Sequence, residues 1–396
     1  MDKIQAQPEL GRLASGMNSI EAMKVDGKLY AWPANRNNPE VAQNTYASHW
    51  VYRRDIAKDL GLYKEGDVYS IEEWTNLVKA AIAKDPNMAG MVMSPWAFPH
   101  APILFTGPVP AEGNETCSYI KVGNEYVWPP STPEYKAGVK MTYDLFQSGV
   151  IFKDNIQFKG SEDGDMFNAS RAFARYGGWN FTDSASKLIK AGLAKDLEAV
   201  GPAIITFDGK FWMTQTEDYW SVTAFSNAVE PEKMDRVLEM WNYLQSDEGM
   251  LFQWLGFEGT DYSKEADGSI KVLWKTDEAT KQFINPYSEM RFGEFTPAGL
   301  TRPGNPAEDP YEAKCRNQVW DYMGKNPVGI KGFDYNVSFM SAPNKDKYGT
   351  YGADVKAKLI ELLQTSKDIE ADWDAYVTSM MPKVQPILDE INASTK

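Results

Sequence analysis

The stretch Tyr219–Tyr262 constrains this chain more than any other, because it alternates signals for a strand, two helices and a turn within a short span. Pro231 suits a first helical position, where its missing N–H would have no partner anyway. Glu232 follows in the first turn, where a negative charge meets the helix dipole favourably. Met234, Val237, Leu238, Trp241 and Leu244 recur at steps of three and four, which sets one apolar stripe on one helix face. Ser246 is placed to cap a second helix carrying Leu251, Trp254 and Leu255, and Gly256 can end it at positive φ. Residue pattern alone thus yields a strand, two linked amphipathic helices and a turn.

At 396 residues the chain can hold two or three domains and bury a sizeable core. Its 43% hydrophobic and 24% charged residues are those of an ordinary globular protein. The net charge of −14 argues against nucleic acid, which needs a basic face to displace phosphate counterions, and against anionic lipid. Cys117 and Cys315 lie far apart and make no disulfide scaffold. With only His49 and His100 present, most histidine-based metal and acid–base designs are removed. An EF-hand reading fails twice. With Gly268 as the sixth loop residue, Ser263 stands first and Trp274 twelfth, and with Gly164 in that place the first is Lys159. No nucleophile elbow, P-loop, dinucleotide fingerprint, HExxH or CxxC occurs, so neither a catalytic nor a metal-ligating residue is assigned and no cofactor is expected.

Taken in order, residues 1–24 read as a weak helix, and Lys28 to Pro33 as a short strand that proline ends. Ser48 to Tyr52 alternates like a strand. Ser70-Ile71-Glu72-Glu73 is a capping box before a helix carrying Trp74, Leu77, Val78 and Ile82. Gly90 to Phe98 reads as a buried strand running into an aromatic loop, and Pro99 to Gly113 as a crossing between domains. A hairpin is expected at 119–128 around Asn124, and a helix opens at Thr132-Pro133-Glu134. Residues 285–340 read as irregular, and helices return at 353–364 and 368–392.

Three separated segments carry a family resemblance. These are the Tyr219–Tyr262 stretch, the pair GKLYAWP … HWVYRRDIAKDLGL, and SKDIEADWDAYV near the end. Together they resemble the family 1 extracellular solute-binding proteins of carbohydrate ABC importers, in the large lipoprotein branch of Gram-positive bacteria. The resemblance implies a two-lobe, periplasmic-binding-protein-like α/β fold of type II with a hinge between the lobes. Its expected division is an N-terminal lobe at 1–98, a second lobe at 99–225, a return to the first lobe at 226–300, and an irregular segment with C-terminal helices of the second lobe at 301–396. About the first hundred residues of the family pattern are missing on this comparison, set against usual domain size, so the first lobe is expected to be incomplete. It further implies a monomeric receptor for an oligosaccharide, with ABC permease subunits as partners, and an extracellular, membrane-anchored lipoprotein. Two other readings stay open: a glycoside hydrolase built on a carboxylate pair, and a surface carbohydrate-binding protein without transport.

Within that reading, Trp50, Trp96, Trp179 and Trp220 are the chief ligand candidates. Each follows a strand or sits in a strand-end loop, where α/β ligand crevices form, and a tryptophan face packs on the C–H patches of a sugar ring. The alternative for each is core packing. Trp179 and Asn180 follow Gly177-Gly178 in FNASRAFARYGGWN, the family's strand and Gly-Trp element, which ends at the cleft. Arg36 with Asn35 offers donors for a hydroxyl or carboxylate, and Tyr46 precedes the cleft strand. Trp74, Trp241, Trp254 and Trp373 lie on amphipathic helices and are expected in cores.

Overall fold

The computed structural model describes residues 3, 6–16, 19–20, 23–24, 27–35, 45–46, 49–105, 119–177, 180–215, 219–224, 226, 228–278, 284, 309–326, 328–331, 337, 340, 342–349 and 351–394. The first elements are α1 (Pro8–Gly16), β1 (Ala31–Asn35), β2 (Thr45–Tyr46), β3 (His49–Arg53), α2 (Arg54–Asp59), β4 (Val68–Ser70), α3 (Ile71–Lys84), β5 (Ala89–Met93) and α4 (Ala101–Leu104). Then come β6 (Ile120–Val122), β7 (Glu125–Val127), α5 (Pro133–Gln147), α6 (Glu162–Asn168), β8 (Ala172–Gly177), α7 (Phe181–Lys190), β9 (Val200–Phe207), β10 (Lys210–Gln215) and β11 (Tyr219–Ala224). The last are α8 (Pro231–Leu244), α9 (Asp247–Leu255), β12 (Tyr262–Lys264), β13 (Ile270–Val272), α10 (Pro310–Lys325), β14 (Val328–Lys331), α11 (Pro343–Tyr348), α12 (Gly352–Thr365) and α13 (Ile369–Ser394).

The chain divides into two compact units, one of residues 1–44 and 217–310, the other of 45–216 and 311–396. These boundaries differ from the expected division at 98, 225 and 300. The physical reason is pairing: β3 sits inside the second unit's sheet between β8 and β9, so residues from 45 onward belong there. Of the expected crossing at 99–113, residues 106–113 lie outside the described residues; in the described part, Ala101, Ile103 and Phe105 are buried with Phe98 in the same core as Trp50.

In the first unit, β1 and β11 make an antiparallel ribbon, with Pro33 opposite Val222. Proline does not end this strand, because a two-stranded ribbon leaves one edge of each strand free of ladder bonds. Trp32 from the ribbon meets Trp241 of α8 edge-on, with ring centroids 5.7 Å apart. Asn242 of the same helix accepts the backbone N–H groups of Glu9 and Leu10 at 2.9 and 3.3 Å, capping α1 from outside its own segment. Ser246 caps α9 through the Gly249 N–H at 3.1 Å, and Gly256 ends it at φ 87° and ψ −135°.

In the second unit an eight-stranded mixed sheet runs β14-β10-β9-β3-β8-β5, with β2 on β10 and β4 on β9. The capping box at Ser70 and Glu73 is formed, starting α3, which buries Trp74, Leu77, Val78 and Ala81. Trp373 of α13 stacks on Tyr135 of α5 at 5.8 Å and 14°, and its Nε1 donates to the Pro130 carbonyl at 3.0 Å. Within the stretch expected to be irregular stands a 16-residue helix, α10. It begins on Pro310, and Tyr311, Cys315 and Val319 bury one stripe at four-residue steps.

That helix completes a buried charge cluster. Asp67 is fully buried and receives Arg54 Nη2 at 2.6 Å and Nε at 3.0 Å, a two-pronged ion pair. Gln318 adds an N–H to the same carboxylate at 2.7 Å, Tyr52 donates its hydroxyl to it, and Tyr311 donates to the Val200 carbonyl. Burial opposes the Arg54 charge, but Asp67 outweighs it and holds the guanidinium above its ordinary pKa. Burial pushes the neighbouring Cys315 thiol up to about 12.

Candidate functional site

Strand direction in the second unit gathers the candidate site. β5 runs parallel to β8, while β3 is antiparallel to both β8 and β9. The carboxyl ends of β5, β8 and β9 therefore share one sheet edge with the amino end of β3, where His49 faces Gly177. Such an edge, at the carboxyl ends of strands, is where open α/β sheets place ligands.

β5 leads into Ser94-Pro95-Trp96-Ala97. Pro95 fixes φ in the turn, and the Ser94 hydroxyl and carbonyl both accept from the Ala97 N–H, the hydroxyl at 3.1 Å. With Phe98 buried as an anchor, Trp96 stands 79% exposed on this turn. A large aromatic left in water on an ordered turn is the feature of this edge that packing does not explain.

β8 delivers Tyr176 and Gly177 to the same edge, and Asn180 begins the helix that follows. Asn180 is exposed and makes no side-chain cap hydrogen bond to α7. The cap is supplied instead by Glu312 of α10, which accepts the Thr182 N–H at 2.9 Å. The Asn180 amide thus keeps no helix-capping duty.

Trp50 takes the core-packing course. It is 4% exposed, stacks on Phe105 at 5.9 Å, and meets Tyr176 edge-on at 5.2 Å. Half-buried Tyr176 is thus the aromatic that carries this cluster toward the edge. In the sequence it sits between Arg175 and Gly177, inside the strand rather than in the turn after it, where ligand residues are expected. Arg36 and Trp179 lie outside the described residues. Asn35, Tyr46 and Trp220 are described by backbone alone: Asn35 pairs with Tyr219 beside Trp220 in the first unit's ribbon, and Tyr46 pairs with Thr214 in the second unit. Trp96 and Asn180 are therefore the expected residues brought to one edge, with Trp50 packed beneath Tyr176.

Two charged groups also belong to this edge. Arg175, opposite Val51 and Val92 in the sheet, lies with Nη2 3.3 Å from Oδ2 of Asp163 in α6. Burial pushes the Asp163 carboxyl up, while the Arg175 charge pulls it down more weakly. Arg175 crosses over glycine at both ends: a Cβ on Gly177 would meet Nη2 at 3.0 Å, and one on Gly164 would meet Nη1 at 3.5 Å. Among the described residues no group of three or more His, Cys, Asp or Glu is arranged to hold a metal ion. No helix among them is long and apolar enough to cross a membrane.

No family model and no curated protein matches the sequence. Solved structures do match. One is the alginate-binding protein AlgQ2 without calcium ion, at 18% identity and TM-score 0.66, covering 99% of this chain and 80% of that one. A second is an extracellular solute-binding protein from Bifidobacterium longum subsp. infantis, at 15% identity and TM-score 0.64, covering 99% and 81%. A third is the N-glycan transport solute-binding protein NgtS from Streptococcus pneumoniae, solved with Man1GlcNAc, at 15% identity and TM-score 0.53, covering 99% and 81%. The mixed α/β architecture of this chain is therefore the fold that these solute-binding proteins share.

Proposed function

We propose that this chain is the substrate-capturing component of an ABC importer for a sugar or oligosaccharide, handed on to membrane permease subunits. The observation that carries the reading is the exposed Trp96 on its Ser94-capped turn, beside Tyr176 and the uncommitted Asn180 at one carboxyl edge. An aromatic face for C–H packing beside amide and guanidinium donors is what a ring with many hydroxyls needs. The fold supports it, since proteins that share it are named for binding alginate, N-glycan and chitin oligosaccharide. Trp179 remains in the proposed ligand set through the Gly-Trp element of the family pattern, Trp220 and Tyr46 through their places at strand ends, and Arg36 and Asn35 through their donors. Capture requires no bond to be broken, because a ligand that contacts one conformation better than the others draws the protein into it. On this reading the protein acts outside the cell as an anchored monomer, without a cofactor.

Calorimetric titration against a panel of neutral and uronic oligosaccharides, with the mixture analysed for cleavage, tests it. Micromolar or tighter binding with the sugar recovered intact is the expected outcome. Turnover of any panel member would replace the receptor with a glycoside hydrolase.

A further inference from the structure

The pair Arg175 and Asp163 is built in a way that simple scaffolding does not require. Asp163 is buried, with 4% of its side chain exposed, and Arg175 retains 17%. Yet the pair is left incomplete: Oδ2 of Asp163 and Nε of Arg175 have no hydrogen-bond partner among the described residues. By contrast, Arg54 engages Asp67 through two short bonds and spends other donors on Glu198 and Tyr311. A buried pair meant only to stabilise would be satisfied in that manner, since each orphaned polar group costs free energy. The glycines beneath Arg175 keep its guanidinium against the backbone at the end of β8, two residues past the register with Val92 and short of Asn180.

Resting on the sugar-receptor reading, we propose that Arg175 donates to a ligand hydroxyl at this edge. Asp163 acts as its positioning residue, cancelling its charge so that the site selects neutral over uronic oligosaccharides. An unpaired arginine would be a ready carboxylate clamp; one already facing a carboxylate at 3.3 Å offers directed N–H donors with no net charge. The chain's overall charge of −14 acts in the same direction, repelling polyanionic sugars at low ionic strength.

The test titrates wild type, Arg175→Gln, Arg175→Lys and Asp163→Asn with neutral and uronic oligosaccharides of matched length, with a thermal melt of each variant. Wild type is expected to bind neutral sugars at least about tenfold tighter. Arg175→Gln loses about tenfold or more on them, as for a hydrogen bond from a charged donor, and Arg175→Lys recovers part. Asp163→Asn uncovers the guanidinium and swings the neutral-to-uronic preference about tenfold toward uronic sugars, a ratio that a purely structural role would leave fixed. If Arg175→Gln or Arg175→Lys melts like wild type and binds as tightly, or if wild type prefers uronic sugars, the proposal fails while the receptor stands. Should wild type bind no oligosaccharide, both fail together.

Discussion

Gly201 offers a sharp test of how the second unit is held together. It lies in β9 opposite Tyr52, and a Cβ there would sit 2.6 Å from Nε of Arg54 and nearer still to Cζ and Nη2. Ordinary contact begins near 3.4 Å, and the nearest atom, Nη2, would lie at 2.3 Å, so in Gly201→Ala the guanidinium must back away by about 1 Å. It has no room to do so, being 4% exposed and fixed to Asp67 at 2.6 and 3.0 Å and to Glu198 at 2.9 Å. Alanine suits a strand better than glycine by about 0.5–1 kcal/mol. Against this stand about 1–3 kcal/mol of overpacking and, where the shift strands the buried Asp67, about 3–5 kcal/mol for an uncompensated charge. The net destabilisation is about 3 kcal/mol, or a fall of about 6–12 °C in the melting temperature of a unit this size. Calorimetry and urea unfolding with tertiary-structure probes read it directly. In an Arg54→Ala background the same glycine change should cost under about 1 kcal/mol, because the obstacle is gone. A melt within about 2 °C of wild type, or a full cost in the Arg54→Ala background, would refute the reasoning.

Other expectations follow from single features. Trp96→Ala should weaken sugar binding by about 3- to 10-fold, with a melting change under about 1 °C because the ring is exposed, as titration and calorimetry together would show. Burial, with the Lys356 charge, pushes His100 down to about 4, so the folded chain binds fewer protons than the unfolded one, whose histidine titrates near 6.5. The stability this represents is present above that unfolded pKa and is lost as pH falls toward about 4, by at most about 1.4 kcal/mol per unit, and His100→Gln should flatten that part of the profile. Cys315, buried and raised to about 12, should resist alkylation in the native protein at pH 8 and react in urea, as peptide mass mapping would record.

What the sequence made legible was local. The Ser70–Glu73 box, Pro231 at the start of α8 and Ser246 before α9 each announce their element through neighbours three or four positions away, and each is formed. Helix α10 was missed although Pro310 and the Tyr311, Cys315 and Val319 spacing signal it, because the surrounding prolines and aromatics outweighed that stripe. Trp96 was legible as a residue of a strand-end turn, where the structure leaves it exposed. Trp50 was not, since direction in a strand buried on both sides depends on what packs around it; here that is Tyr176 from β8 and Phe105 at the end of α4. Arg175 and Asp163 stand twelve positions apart with no periodic relation, so only the packing of α6 over the end of β8 pairs them.

The late arrival of α10 has a bearing on how the protein is made. As the ribosome emits residues 45–216, every strand of the large sheet except β14 has emerged, along with Arg54 and Asp67. The amide of Gln318 that completes Asp67 comes 251 positions after it, and the Tyr311 hydroxyl that takes the Val200 carbonyl comes 111 after it. Between them the whole second segment of the other unit must be synthesised. The nascent sheet therefore waits with polar groups unsealed, and closing over so long a span is slow. A stop codon anywhere before residue 319 would leave that charge cluster open, so truncation there is as damaging as the loss of a core position.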